Sequence, residues 1–354
     1  MSATDTTSSI DVGELAYELV SIPSPSGSED AIAEYLIAWF ADHGREAWVD
    51  DVGNVRAPAD EVALLTTHLD TVSGHLQARL TQGDDASSAK WLYGRGSVDA
   101  KGALAAMATA AVTTGVSFAG VVREETDSAG AYHLINDRQQ PEHVINGEPS
   151  GVTGIILGYR GIQQGTYAVS TPRVHPSRPD ANAIDHLTNW WTATADRFSA
   201  VASPFASVTV TPHSVDGGLD MAETAVEASL AFELRVPPSV SIGRLRATLE
   251  GEAANGSIEW GQYIPPHRTD PNARPATALR WAIRDIGLEP RHLLKGGTSD
   301  ANVYAEGWDC PVVTYGPGDA SLDHRVDERI ELGAIEHSIE VIEQAVAHLR
   351  GESS

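Results

Sequence analysis

Apolar residues recur at helical spacing over 12–20 and again over 31–43, so each stretch predicts an amphipathic helix. Ser28, Glu29 and Asp30 offer a start for the second helix, and the polar stretch 1–9 predicts a frayed beginning. Short β-rich runs follow at 62–67, 118–122, 144–146 and 311–315, with a helical pattern over 103–112. Strands alternating with helices predict an α/β sheet covered on both faces. The texture changes between about 159 and 266. There, 165–170, 206–211 and 228–236 alternate with period two around a helical 183–197, and the α/β pattern resumes near 277–285. This predicts a discontinuous α/β domain, 1–158 and 267–354, with an inserted α+β domain, 159–266.

With 354 residues, 42% of them hydrophobic, the chain can bury more than one core. Its net charge of −25 and lack of any basic run argue against a nucleic-acid partner. Lys90, Lys101 and Lys295 are the only lysines, Arg supplying the other positive charges. Such a chain resembles proteins of salt-accumulating (haloarchaeal) cytoplasm, in which acidity serves hydration and says little about substrate. Cys310 is the only cysteine, which rules out an intramolecular disulfide and fits a reducing compartment. No stretch joins a basic start to an apolar run, and none approaches the roughly 20 apolar residues of a membrane span. The expectation is a soluble cytoplasmic protein without a membrane partner.

Candidate chemistry lies just past the predicted strands, where open α/β sheets place ligands. His68 and Asp70, two apart, can share one site. Asp70 would then orient the His68 ring, although a His-x-Asp alone fits a core or turn role as well. Asp99 sits in the glycine-rich 93–102 before a helix, placed to bridge two cations or simply to cap. Glu124 and Glu125 form an acid pair whose side chains diverge, so that one can bind metal while the other faces substrate. Glu148 and the pair Asp323-His324 complete the set. Imidazole mixed with carboxylate suits Zn²⁺ or a related ion, and a shared carboxylate suits a pair of ions.

The strings THLDTV, YGRGSVDAKG, REET, INGEPSG, RVHPSRPDANAI, FELRVPP, KGGTSDAN and YGPGDASLDH occur in this order. Together they resemble the acetylornithine deacetylase / succinyl-diaminopimelate desuccinylase / carboxypeptidase family of co-catalytic zinc hydrolases, over essentially the whole chain. The resemblance implies a zinc-peptidase catalytic domain, with a mixed sheet and flanking helices, and an inserted α+β domain acting as lid and dimerisation surface. It implies two Zn or Co ions per subunit, one held by His68, Asp99 and Glu148, the other by Asp99, Glu125 and His324. Glu124 is then the general base that later protonates the leaving amine, supported by Asp70 behind His68. His175 matches a histidine that reaches the partner subunit's site in a homodimer, with Asn182 nearby. Arg235 resembles the family's substrate-carboxylate clamp. The loop carrying Gly297 and Thr298 shapes the substrate cleft, and Lys295 beside it is either a ligand contact or a solvated charge. Within the family, GEPSG, GIILGYRG and KGGTSDAN look closest to the branch that frees lysine or ornithine from a small acidic amino-group carrier protein, in lysine or arginine biosynthesis. An acetylornithine deacetylase is the alternative. A noncatalytic metal- or amino-acid-binding relative is opposed by the intact Glu124 and ligand positions.

Overall fold

A computed structural model describes residues 10–82, 89–200 and 203–352; the polar opening 1–9 lies outside them. In chain order come α1 (Val12–Ser21), α2 (Asp30–Asp42), β1 (Trp48–Val49), β2 (Val55–Ala57), β3 (Asp60–His68), β4 (Arg79–Gln82), β5 (Lys90–Tyr93), α3 (Lys101–Thr114), β6 (Val116–Val121), α4 (Ala129–Asp137), β7 (Val144–Gly147) and β8 (Gly154–Tyr159). Next are β9 (Gly161–Pro172), α5 (Ala183–Arg197), β10 (Thr209–Leu219), β11 (Ala225–Val236), α6 (Ile242–Glu252), β12 (Ser257–Ile264) and β13 (His267–Arg268). The chain finishes with α7 (Arg274–Asp285), β14 (Arg291–Lys295), α8 (Asp300–Gly307), β15 (Val312–Thr314), β16 (Arg329–Glu331) and α9 (Leu332–Arg350). No described helix is long and apolar enough to cross a membrane.

Two compact units emerge, the first comprising Met1–Leu157, Thr269–Leu293 and Ser299–Ser354, the second Gly158–Arg268 and Leu294–Thr298. In the first, strands run in the order β1-β2-β6-β3-β7-β15-β8. The middle is parallel: Leu65 of β3 lies opposite Phe118 of β6 and Ile145 of β7, and Val313 of β15 lies opposite Ile145. The flanks are antiparallel, β2 against β6 and β8 against β15, so the sheet is mixed. Strands β6 and β7 are buried along their whole length, as parallel strands covered on both faces must be. Helix α3 is rich in Ala, and every residue from Lys101 to Ala111 is buried, because it packs against α1, α9 and the sheet. A separate antiparallel sheet, β16-β5-β4, adjoins it.

The second unit is a four-stranded antiparallel sheet, β10-β11-β9-β12, with α5 packed on β9 and β11. Strands β9 and β11 alternate in burial, and Tyr167, Leu230, Phe232 and Leu234 join Trp190 of α5 in a core of their own. Trp190 stacks on Tyr167 with ring centroids 4.4 Å apart. The Leu294–Thr298 segment, on the far side of the division drawn from sequence, belongs with this unit. Arg160 donates to the Gly296 carbonyl (2.8 Å), Arg235 to Thr298 Oγ1 (2.9 Å), and the Thr298 hydroxyl to the Arg160 carbonyl (3.1 Å).

Candidate metal centre

Five side chains of the first unit converge where its parallel strands end. His68 closes β3, Glu125 follows β6, Glu148 follows β7 and His324 follows β15, while Asp99 arrives on the loop from β5 to α3. Possible ligand atoms of His68, Asp99 and Glu148 all lie within 4.8 Å of one another, as do those of Asp99, Glu125 and His324. Asp99 divides its oxygens between the two groups. Oδ1 is 3.1 Å from His68 Nε2 and Oδ2 is 3.2 Å from His324 Nε2, which also lies 3.0 Å from Glu125 Oε1. Two imidazoles and three carboxylates, one of them shared, suit a pair of divalent ions of the zinc class.

The buried acids and imidazoles of the site shift one another's protonation. Hydrogen bonds to Asp99 and Glu125 push His324 up to about 10. Burial would lower His68, but its bonds to Asp70 and Asp99 and the surrounding carboxylates raise it well above the usual histidine range. Burial pushes Glu124 and Glu148 well above the carboxylate range and Asp300 to about 7.

Asp70 is fully buried and works on two fronts. Its backbone carbonyl lies 2.9 Å from His68 Nδ1, and its Oδ1 lies 3.4 Å from the same nitrogen. The carboxylate also accepts the backbone N–H of Glu124 at Oδ1 (3.0 Å) and, at Oδ2, the N–H of Glu125 (3.1 Å) and the Ser26 hydroxyl (2.6 Å). Against the effect of burial, the His68 imidazole first, then the Ser26 hydroxyl and the Glu125 N–H, hold Asp70 below its ordinary value. Arg123 and His324 adopt left-handed backbone conformations at φ 65° and 61°. The Arg123 carbonyl offsets that strain by accepting from the N–H groups of Thr126, Asp127 and Ser128.

Three supporting residues carry no sequence signal that singles them out. Glu328, 1% exposed, accepts from the backbone N–H of Val98 (3.0 Å) and Asp99 (3.3 Å) and from Arg95 (2.7 Å), and so sets the loop that presents Asp99. Lys101 is buried, donates to the Ile22 carbonyl (2.6 Å) and is lowered by burial to about 7. Its aliphatic stem requires Gly96, at φ +80°, where a Cβ would sit 3.1 Å from Lys101 Cδ and 2.6 Å from Thr71 Cγ2. Asp300 closes the 296–300 loop that the resemblance assigns to the substrate cleft, and its burial places its charge near Glu124 and Glu148.

The remaining candidates belong to the second unit. His175 is exposed in the turn after β9, its Nδ1 2.8 Å from Ser177 Oγ. Asn182 caps α5: its oxygen accepts from Ile184 and Asp185 N–H, and Asp185 returns a bond to the Asn182 backbone. Arg235 also pairs with Glu233 at 2.7 Å, and Gly297 and Thr298 form the loop described above.

A mixed α/β unit presenting this cluster defines a class, the metal-dependent amide-bond hydrolases. Residues 64–348 match peptidase family M20/M25/M40, and the chain belongs to that family. It is 34% identical to the LysW-lysine hydrolase of Deinococcus radiodurans, over 96% of this chain and 97% of that protein. To the LysW-lysine/LysW-ornithine hydrolase of Sulfurisphaera tokodaii it is 27% identical, over 92% and 91%. Its fold is similar to that of an M20 family metallo-carboxypeptidase from Sulfolobus solfataricus, with a TM-score of 0.75 at 17% identity, covering 96% and 99% of the two chains.

Proposed function

We propose that this protein hydrolyses the amide joining lysine or ornithine to the γ-carboxyl of the C-terminal glutamate of a LysW-type carrier protein. The observation that carries this reading is a near-full-length match to a LysW-lysine hydrolase in a chain whose five possible ligands and adjacent Glu124 converge. Two divalent ions, Zn²⁺ or Co²⁺, would be held by the His68-Asp99-Glu148 and Asp99-Glu125-His324 groups. When bound, such ions polarise the scissile carbonyl and acidify water.

The protein's own part is acid–base work and positioning. Glu124 takes a proton from the attacking water as oxygen bonds to the amide carbon. It returns that proton to the departing amine nitrogen as the carbon–nitrogen bond breaks, leaving the carrier carboxylate and the free amino acid. Asp70 fixes the backbone of Glu124 and Glu125 together, so base and ligand keep one geometry. In this reading the enzyme is a homodimer: the second unit is its lid and dimerisation domain, the partner subunit's His175 steadies the oxyanion, and Arg235, with Thr298 and Gly297 beside it, meets the substrate carboxylate.

The test uses chelated enzyme reloaded with Zn²⁺ or Co²⁺ and supplied with carrier-linked lysine, carrier-linked ornithine or N-acetylornithine, with release followed by mass spectrometry. Release of lysine or ornithine from the carrier, dependent on added metal, is expected. Turnover of N-acetylornithine alone would overturn the assignment.

A further inference from the structure

Lys101 is one of only three lysines in the chain, and it lies almost wholly inside the first unit, 1% exposed. The stem that Gly96 admits ends in an ammonium with three N–H donors, and a single acceptor meets it, the Ile22 carbonyl at 2.6 Å. Among the described residues no carboxylate pairs with it. The acid whose charge reaches it, Glu328, is engaged by Arg95 at 2.7 Å and by the backbone N–H groups of Val98 and Asp99. An ammonium taken out of water is strongly destabilising unless a counter-charge or a full set of acceptors meets it.

This ammonium borders a cavity of about 110 Å³ whose other walls include Val20, Val72, Leu76, His75 and Arg95. No described Asp or Glu lines it, in a chain that has 49 of them, whereas three larger cavities all carry acids on their walls. Arg95 is largely committed. Its Nε donates to the Gly74 carbonyl (3.2 Å) and its Nη1 to Glu328 and the Arg325 carbonyl (3.3 Å), which leaves Nη2 without a bond to any described residue. The volume is well above the about 15 Å³ that holds one water, so a halide with a water, or an acetate-sized carboxylate, has room. One unmatched cation among apolar walls calls for a single negative charge on a weakly hydrated ion.

The walls also connect this space to the chain around the metal centre. Residues 71–76 follow directly on His68 and Asp70, and Arg95 and Lys101 flank Asp99 on its loop. We infer that the cavity binds a small monovalent anion, held by the Lys101 ammonium with Arg95 Nη2 beside it, and that the ion fastens the 71–76 and 94–101 segments to each other. The site stands apart from the reaction proposed above, and its test reads no turnover.

Wild type, Lys101→Met and Leu76→Phe are unfolded by urea at constant molar potassium, with gluconate replaced stepwise by bromide or by acetate. Gluconate is too large for the cavity. Lys101→Met removes the ammonium, and Leu76→Phe keeps it but fills the space. A bound ion adds stability as the logarithm of its concentration above the dissociation constant, unlike a general salt effect, which has no such onset. The wild-type midpoint is expected to rise in this way with bromide, marking a halide site, or with acetate, marking a carboxylate site. In both variants the onset should move about tenfold or more to higher concentration; should Lys101→Met fail to fold, Leu76→Phe decides. No logarithmic rise in wild type, or the same rise in every folded protein, overturns the site. Crystals soaked in the anion that acts, bromide being read by anomalous scattering, should show it within hydrogen-bond reach of Lys101 Nζ. An anion seen there without the rise in solution is an adventitious ion only and overturns the site, as does a rise with the anion bound elsewhere.

Discussion

Replacing Asp70 by Asn separates the two tasks of this residue. The side chain keeps its shape but has one acceptor oxygen in place of two, and the new amide must face either Glu124 N–H or Glu125 N–H. The Ser26 hydroxyl decides the orientation, because it can turn to accept from Nδ2, whereas the His68 side holds no group that gains by such a change. Oδ1 therefore stays with Glu124 and His68, and the 3.1 Å bond from Glu125 N–H becomes a donor facing a donor. Loss of a hydrogen bond to a charged acceptor, with a buried N–H left over, costs about 2–4 kcal/mol. Urea unfolding of the metal-free protein in molar KCl should show a loss of that size. The ion beside Glu125 and His324 should bind about 10- to 100-fold more weakly, measured by competition with a chelator, while the ion beside His68 and Glu148 is little changed. Unchanged stability would refute the reasoning, and so would equal weakening of both ions, which would place the damage at His68.

Glu124→Gln should keep both ions and lose on the order of 10²- to 10⁴-fold in kcat, and metal analysis showing a lost ion would make Glu124 a ligand instead. His267 is buried in the second unit, and burial lowers it to about 4. Its folded value lies below its unfolded value near 6.5, so its contribution is complete above 6.5 and is lost as pH falls toward 4. That contribution is about 3 kcal/mol, and urea titrations at pH 7 and pH 4.5 should show a shallower loss for His267→Phe than for wild type. In co-refolded mixtures of His175→Ala and Glu124→Gln, each inactive alone, random pairing should restore roughly a quarter of wild-type activity if His175 serves the partner subunit's site. Absence of recovery would leave it acting within its own chain.

Of the five clustered side chains, His68, Glu125 and Glu148 were legible as candidates because each lies within three residues of a β-rich run, where a parallel sheet gathers side chains whatever their separation in sequence; Asp99 and His324 stood out through the glycine-rich strings that carry them. Helix α5 was legible to the residue because its amphipathic stripe is complete and one end is capped. Asn182 carries a local signal besides the resemblance. The spacing Asn182-x-x-Asp185 before an apolar stripe is a capping-box pattern, and the structure commits its side chain to that task. Glu328 could not be found from sequence, since its partners Val98 and Asp99 are some 230 positions away and an acid in so acidic a chain draws no notice. Strands β4, β5 and β16 escaped notice for a different reason. Each has three or four residues, too few to show a period, and they are held by one another and by Leu92 and Ile330 beneath them.

The sheet order places β15 between β7 and β8, although some 150 residues of chain separate it from them. A ribosome therefore releases β7 and the whole second unit before the strand that fills the gap exists. Until then the inner edge of β7 offers unpaired N–H and carbonyl groups to any extended segment nearby. His324 emerges just after β15, so closure of that edge and arrival of the last of the five clustered side chains are one event in the synthesis of the chain. A nascent chain stalled before this point holds four of the five clustered side chains and an open seam, which leaves the site incomplete and a strand edge exposed to aggregation.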